Sequence, residues 1–239
     1  MNKIKNNICI IAECGINHSG DINYAKRSID IAKQIGCHIW KTQLYDPNTL
    51  FPDHKIIVNN YNWYQEVEKT MLSFDQVRLL KDYCDKVGIE FLASAFDLKR
   101  LQWLEMLHVK RHKIATRMNT NNEYIDAVIA TGKETLISMS SISGDKFINN
   151  IIPIYCIPKY PAMLSDLNLK SIGEFFDGFS DHTIGIDASL YALANGAKII
   201  EKHFCLSRYD RGPDIIASVT PSEMARIVKF AKVCEVLDK

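Results

Sequence analysis

Two histidines each close a short apolar run. "GFSDHTIG" (178–185) carries Ser180, Asp181 and His182, and "KIIEKHF" (198–204) carries Glu201 and His203. Neutral imidazole is the commonest metal ligand, and neighbouring strand ends can bring two together. The alternative is a pair of histidines satisfied by hydrogen bonds. Lys41 in "HIWKTQ" and Lys113 in "RHKIA" lie inside β-rich runs. A buried lysine needs an anion. With Ser94, Thr116, Ser138 and Ser180 as donors, a phosphate fits. The alternative is Lys–Glu pairing, of Lys41 with Glu13 or Glu201. Gln43 and Tyr160 complete the polar set. Neither a P-loop nor G-x-G-x-x-G occurs, so nucleotide binding has no support.

These residues need elements to position them. β-rich runs at 8–13, 38–43, 90–95, 111–115, 135–139, 152–157, 177–181 and 198–204 alternate with helical patterns. "INYAKRSIDIAKQIG" puts Ala25, Ile29, Ala32 and Ile35 on one face. "SFDQVRLLKDYCDKVG" opens on a serine N-cap and ends on Gly88, a C-cap. "DLKRLQWLEML", "NNEYIDAVIATG", "IDASLYALANG" and "TPSEMARIVKFAKVCEVL" follow the same logic. Alternating βα units predict an α/β fold, a (β/α)8 TIM barrel forming one domain over 1–239. A doubly wound open sheet is the alternative. "SSISGDKFINN" is too short for a full helix, so the helix after the fifth strand is shortened or missing. Residues 44–73 form a long loop of the kind that covers active sites in barrels. In this fold chemistry sits at the C-terminal ends of the strands. The hydroxyls, cations, carboxylates and imidazoles named above fall there.

Composition excludes several function classes. The chain has 239 residues, 47% hydrophobic and 24% charged, and a net charge of +1. Nothing in that balance points to nucleic acid or an anionic membrane. Seven cysteines are scattered without a C-x-x-C pair, which reads as reduced thiols in a cytoplasmic protein. No apolar run approaches the roughly 18 residues that span a bilayer. "MNKIKNNICIIAE" has too short an apolar core for a signal peptide.

The chain resembles the N-acetylneuraminate (sialic acid) synthase family, which includes the legionaminate and pseudaminate synthases. "IIAECGINHSGDINYAKRSIDIAKQIG", "WKTQLYDPNTLF", "EFLASAFDLKRLQWLEML", "FSDHTIGIDASLYALANGAKIIEKHF" and "RGPDIIASVTPSEM" carry the resemblance, over about residues 8–235. It implies a barrel that condenses phosphoenolpyruvate with an open-chain amino sugar such as N-acetylmannosamine, giving a sialic-acid-like 2-keto-3-deoxy acid. It implies that His182 and His203 hold a divalent metal, usually Mn2+, with Mg2+ or Co2+ as substitutes. Lys41, Ser94, Lys113, Thr116, Ser138 and Ser180 match positions that hold phosphoenolpyruvate. Gln43, Tyr160 and Asp214 match positions near the sugar. Glu13 matches a carboxylate beside the metal and the reacting carbons, and with His182 and His203 it makes up the catalytic set.

The sequence departs from the family at several points. Arg117 replaces a glycine, and Met118 stands where a sugar-contacting glutamate belongs. "SMSS" (138–141) replaces Ser-Thr-Gly-Met, and Pro158 replaces an asparagine. Met118 is expected to offer the acceptor an apolar wall, and an acceptor other than N-acetylmannosamine is expected. Family members continue into an antifreeze-like domain that caps the partner's site, and the expectation here is the barrel alone. A homodimer or a separate capping polypeptide would then be the macromolecular partner. The rival reading is a non-catalytic barrel serving as a binding or partner subunit.

Overall fold

The computed structural model describes residues 7–58, 60–141 and 150–237. The chain order is β1 (Cys9–Gly15), α1 (Ile22–Ile35), β2 (Ile39–Leu44), α2 (Pro47–Leu50), β3 (Ile57–Val58), β4 (Tyr61–Asn62), α3 (Tyr64–Glu68), α4 (Phe74–Val87) and β5 (Glu90–Ala95). There follow α5 (Leu98–Met106), β6 (Arg111–Ile114), α6 (Asn122–Ala130), β7 (Glu134–Met139), β8 (Ile151–Cys156), β9 (Gly178–Asp181), α7 (Asp187–Ala194), β10 (Ile199–His203) and α8 (Pro221–Leu237).

Eight strands pair in parallel and close into a barrel in the order β1-β10-β9-β8-β7-β6-β5-β2. Closure excludes the open-sheet alternative. The expected strands lie within a residue or two of the observed ones. The helix expected to be short after the fifth barrel strand falls on 142–149, outside the described residues. The segment 44–73 is more ordered than a bare loop: it holds α2, the β3–β4 hairpin and α3.

Local chemistry accounts for the helix ends. Asp21 caps α1 by accepting from the Asn23 N–H, and Gly36 closes it at φ 97°. Ser73 and Gln76 form a capping box at the start of α4, and Gly88 ends that helix at φ 79°. The capped helices lay Ala25, Ile29, Ala32, Val77, Leu80 and Cys84 against the outside of the barrel.

The two-residue period of the strands sorts side chains into two sets. Ile10, Ala12, Trp40, Phe91, Ile137, Phe179 and Ile200 face outward into the helix layer. Cys9, Ile11, Ile39, Leu92, Leu136, Ile152, Ile154 and Ile199 form a separate inner cluster. One step further along the same inward faces, the residues become polar: Glu13, Lys41, Ser94, Lys113, Ser138, Ser180, Glu201 and His203, all buried. An apolar plug thus fills the lower barrel, and a charged layer lies at its C-terminal mouth. Gly178 lets β9 approach β10, because a Cβ there would sit 2.6 Å from the Cβ of Ile199.

Candidate active site

Strand register brings the polar layer together. Glu13 on β1 is level with Lys41 on β2 and with His203 on β10. Glu201 is level with Ser180, and Ser180 with Cys156. Ser94 is level with Gln43 and with Lys113. These side chains, with Thr116, Ser138, Tyr160, His182 and Asp214, line one cavity of about 480 Å3 at the barrel mouth. The residues matched to metal, phosphoenolpyruvate and sugar therefore reach a single site.

The floor is a charge network. Lys41 Nζ lies 2.9 Å from Glu13 and 3.6 Å from Glu201. Lys113 Nζ lies 3.9 Å from Glu201 and donates to Ser138 Oγ at 2.6 Å. Ser180 donates to Glu201 at 2.9 Å, and Gln43 to Glu13 at 3.2 Å. The Lys–Glu pairing envisaged from the sequence is thus present. Ser94 Oγ is buried with no hydrogen-bond partner among the described residues, which leaves its hydroxyl available to the cavity.

Environment separates the two carboxyls. Burial, reinforced by the charge of Glu201, raises the pKa of Glu13 above the usual carboxylate range despite Lys41. Burial also acts on Glu201, but Lys113 and Lys41 outweigh it and hold that carboxyl low. The two carboxyls thus sit in opposed environments, one favouring the protonated form and the other the charged form. Burial also raises Asp214 to about 6, with Glu13 adding to the shift.

The two imidazoles are 5.5 Å apart between ring centroids. His182 Nδ1 donates to the Ile157 carbonyl at 2.9 Å. In the neutral ring that fixes the tautomer, with the lone pair on Nε2, which lies 3.1 Å from the Tyr160 hydroxyl. His203 Nδ1 is buried with no hydrogen-bond partner among the described residues, 3.8 Å from an Asp214 oxygen. Burial and the neighbouring His182 push the pKa of His203 well below its ordinary value, so its ring is neutral. Burial opposes protonation of His182, yet Cys156 and the Ile157 carbonyl raise its pKa. Two ring nitrogens facing one cavity suit a divalent metal, whose binding would displace the proton from His182. No cluster of three or more His, Cys, Asp and Glu side chains among the described residues forms a ligand set by itself. Water and substrate would complete the coordination.

The neighbours of the histidine-bearing strands explain "SDHT" and "EKH". Between the inward-facing residues, Asp181 and Lys202 point outward and pair at 3.2 Å, both fully buried. Asp181 also accepts from the Thr183 N–H, the Thr183 hydroxyl and the Ser189 hydroxyl. Lys202 donates to the Thr183 carbonyl at 2.6 Å. One residue of each pair makes the site and the next locks its frame.

One expectation is corrected. Met118 is 7% exposed and packs in the core beneath the helices, not on the cavity. A short 3-10 turn, Thr116–Met118, rotates it inward and sends Arg117 to the rim instead. The apolar wall exists, but Ile16, Tyr45, Leu50, Phe51, Ile56, Val67 and Phe96 build it. Cys156 was missed. Its thiol lies 3.8 Å from His182 Nδ1 inside the cavity. Burial opposes ionisation of Cys156, yet the imidazole holds its pKa below the usual thiol value. The alternation Ile152, Ile154, Cys156 was the available signal. Pro158 lines the cavity without an N–H to give.

The NeuB family profile matches residues 28–238. The chain belongs to the NeuB family. The N,N'-diacetyllegionaminic acid synthase of Campylobacter jejuni is 33% identical over 90% of this chain and 72% of its own length. The human N-acetylneuraminate-9-phosphate synthase is 32% identical over 95% of this chain and 70% of its own. A crystal structure of the N-acetylneuraminic acid synthetase of Leptospira borgpetersenii, in complex with citrate, superposes with a TM-score of 0.86 at 29% identity. It covers 97% of this chain and 85% of that one. Within this NeuB barrel no helix among the described residues is long and apolar enough to cross a membrane.

Proposed function

We propose that this chain condenses phosphoenolpyruvate with an aldose, forming a carbon–carbon bond and a sialic-acid-like 2-keto-3-deoxy acid. One observation carries the reading: in a NeuB-family barrel, Glu13, Lys41, Lys113, Ser94, Ser180, His182 and His203 converge on one cavity. Lys41 and Lys113, with the hydroxyls of Ser94, Ser138, Thr116 and Ser180, match a phosphate in charge and donor number. An arriving phosphoenolpyruvate draws Lys41 away from Glu13, and the loss of that cation raises the proton affinity of Glu13 further.

The C3 carbon of phosphoenolpyruvate attacks the aldehyde carbon of the acceptor. Water adds at C2, and phosphate leaves with cleavage of its C–O bond. Glu13, with its raised pKa, moves the proton at this centre. Tyr160 and Gln43 orient the acceptor, and Asp214 faces it beside His203. A divalent metal held by His182 and His203 would supply Lewis-acid polarisation of the aldehyde oxygen.

The test is release of phosphate from phosphoenolpyruvate with Mn2+ and a panel of aldoses. Turnover abolished by Glu13→Gln supports the reading. Binding of phosphoenolpyruvate with no turnover on any acceptor supports the non-catalytic barrel instead.

A further inference from the structure

Three cations line the cavity: Lys41, Lys113 and Arg117. Lys41 and Lys113 are 2% exposed, on the floor, and share Glu13 and Glu201. Arg117 stands outside that balance. It is exposed at the rim, and among the described residues no carboxylate lies within ion-pair distance of it. Its guanidinium instead rests over the ring of Phe51, 4.8 Å from the centroid. Phe51 packs edge-on against Tyr45 at 6.5 Å, within the wall formed by the segment after β2.

This arrangement has a chemical consequence. A guanidinium resting over an aromatic face keeps its N–H edge free for a further partner. That edge matches two oxygens of a carboxylate or phosphate. The floor already provides cations for the phosphate of phosphoenolpyruvate, and it lies deeper than the exposed Arg117. The apolar wall beneath Arg117 suits the carbon body of a second ligand.

We infer that Arg117 is a specificity residue that reads an anionic group, phosphate or carboxylate, on the end of the acceptor away from its aldehyde. The inference rests on the condensation proposed above and deepens it by naming the acceptor class. It also explains a charged residue that no contact within the described protein requires.

The experiment compares three acceptors: N-acetylmannosamine, its 6-phosphate and a hexuronic acid, each with phosphoenolpyruvate and Mn2+. The readout is the ratio of kcat/KM for each anionic acceptor to that for the neutral one. In the wild type the ratio should be roughly tenfold or more, the scale of one charge-assisted contact. Arg117→Gln should bring it close to one, and Arg117→Lys should keep part of it. Selection of the 6-phosphate alone, or of the uronic acid alone, identifies the anion. A ratio equal in wild type and Arg117→Gln overturns the inference. So does a tenfold loss of phosphoenolpyruvate affinity in Arg117→Gln with the ratio intact, because Arg117 would then serve the first substrate. If no acceptor turns over, the condensation reading fails separately. Calorimetric titration of the 6-phosphate then decides: weaker binding by Arg117→Gln supports the subsite, and equal binding removes it.

Discussion

Asp181 and Lys202 form a fully buried ion pair at 3.2 Å, on the outer faces of the two strands whose inner faces carry Ser180 and Glu201. Lys202 to methionine would leave Asp181 buried with hydroxyl and N–H partners but no cation. Such one-sided removals cost about 3–5 kcal/mol. Thermal melting should show a marked fall for Lys202→Met and partial recovery in the double variant Asp181→Asn/Lys202→Met. No fall in the single variant would mean that the pair does not hold the frame.

The histidine pair gives a second expectation. Mn2+ titrated calorimetrically into the wild type should bind, and better with phosphoenolpyruvate present, because two imidazoles leave coordination to be completed. His203→Ala should weaken binding at least about tenfold, since losing even an outer partner of a metal ligand costs about 10–100-fold. Equal binding by both proteins would place the metal elsewhere.

Lys41 carries the third. Lys41→Met removes the cation that Glu13 and Glu201 share. The affinity for phosphoenolpyruvate should fall roughly tenfold or more, since hydrogen bonds to charged groups are worth about 1.5–3 kcal/mol. Unchanged affinity would leave Lys41 as an internal counter-ion only.

Asp214 sets a pH dependence. Burial raises its pKa from 3.8 to about 6 in the folded protein. The folded state therefore holds this proton more tightly than the unfolded chain does. Its contribution to stability is complete below pH 3.8 and is lost as the pH rises through about 6. Asparagine at this position does not ionise. In the metal-free protein, the melting temperature of Asp214→Asn should rise relative to wild type across that interval and stay level above it. A difference independent of pH would assign Asp214 an unperturbed carboxyl.

Met118 supplies a control on the site boundary. It is buried among core residues. Met118→Ala should destabilise the protein by about 2–5 kcal/mol through the cavity it leaves. The ratio among acceptors should not move. A changed ratio would return Met118 to the acceptor wall.

The barrel was legible because its evidence is local. Alternation of period two marks the strands, Ser73 and Gly88 bound a helix, and eight repeats of the unit leave few topologies. The polar site was legible too, since a residue at a strand's C-terminal end must face either the axis or the helices. Sequence alone could not settle how these charges share one another. Lys41 touches both Glu13 and Glu201 because closure sets β10 and β2 on either side of β1, and hydrogen-bond register fixes which residues stand level. It could not place Met118 and Arg117 either. Their neighbouring positions promise nothing about direction, and a single 3-10 turn after β6 buries one and exposes the other. The apolar wall likewise comes from residues in the segments that follow β1, β2 and β5, which only the closed sheet gathers around one opening.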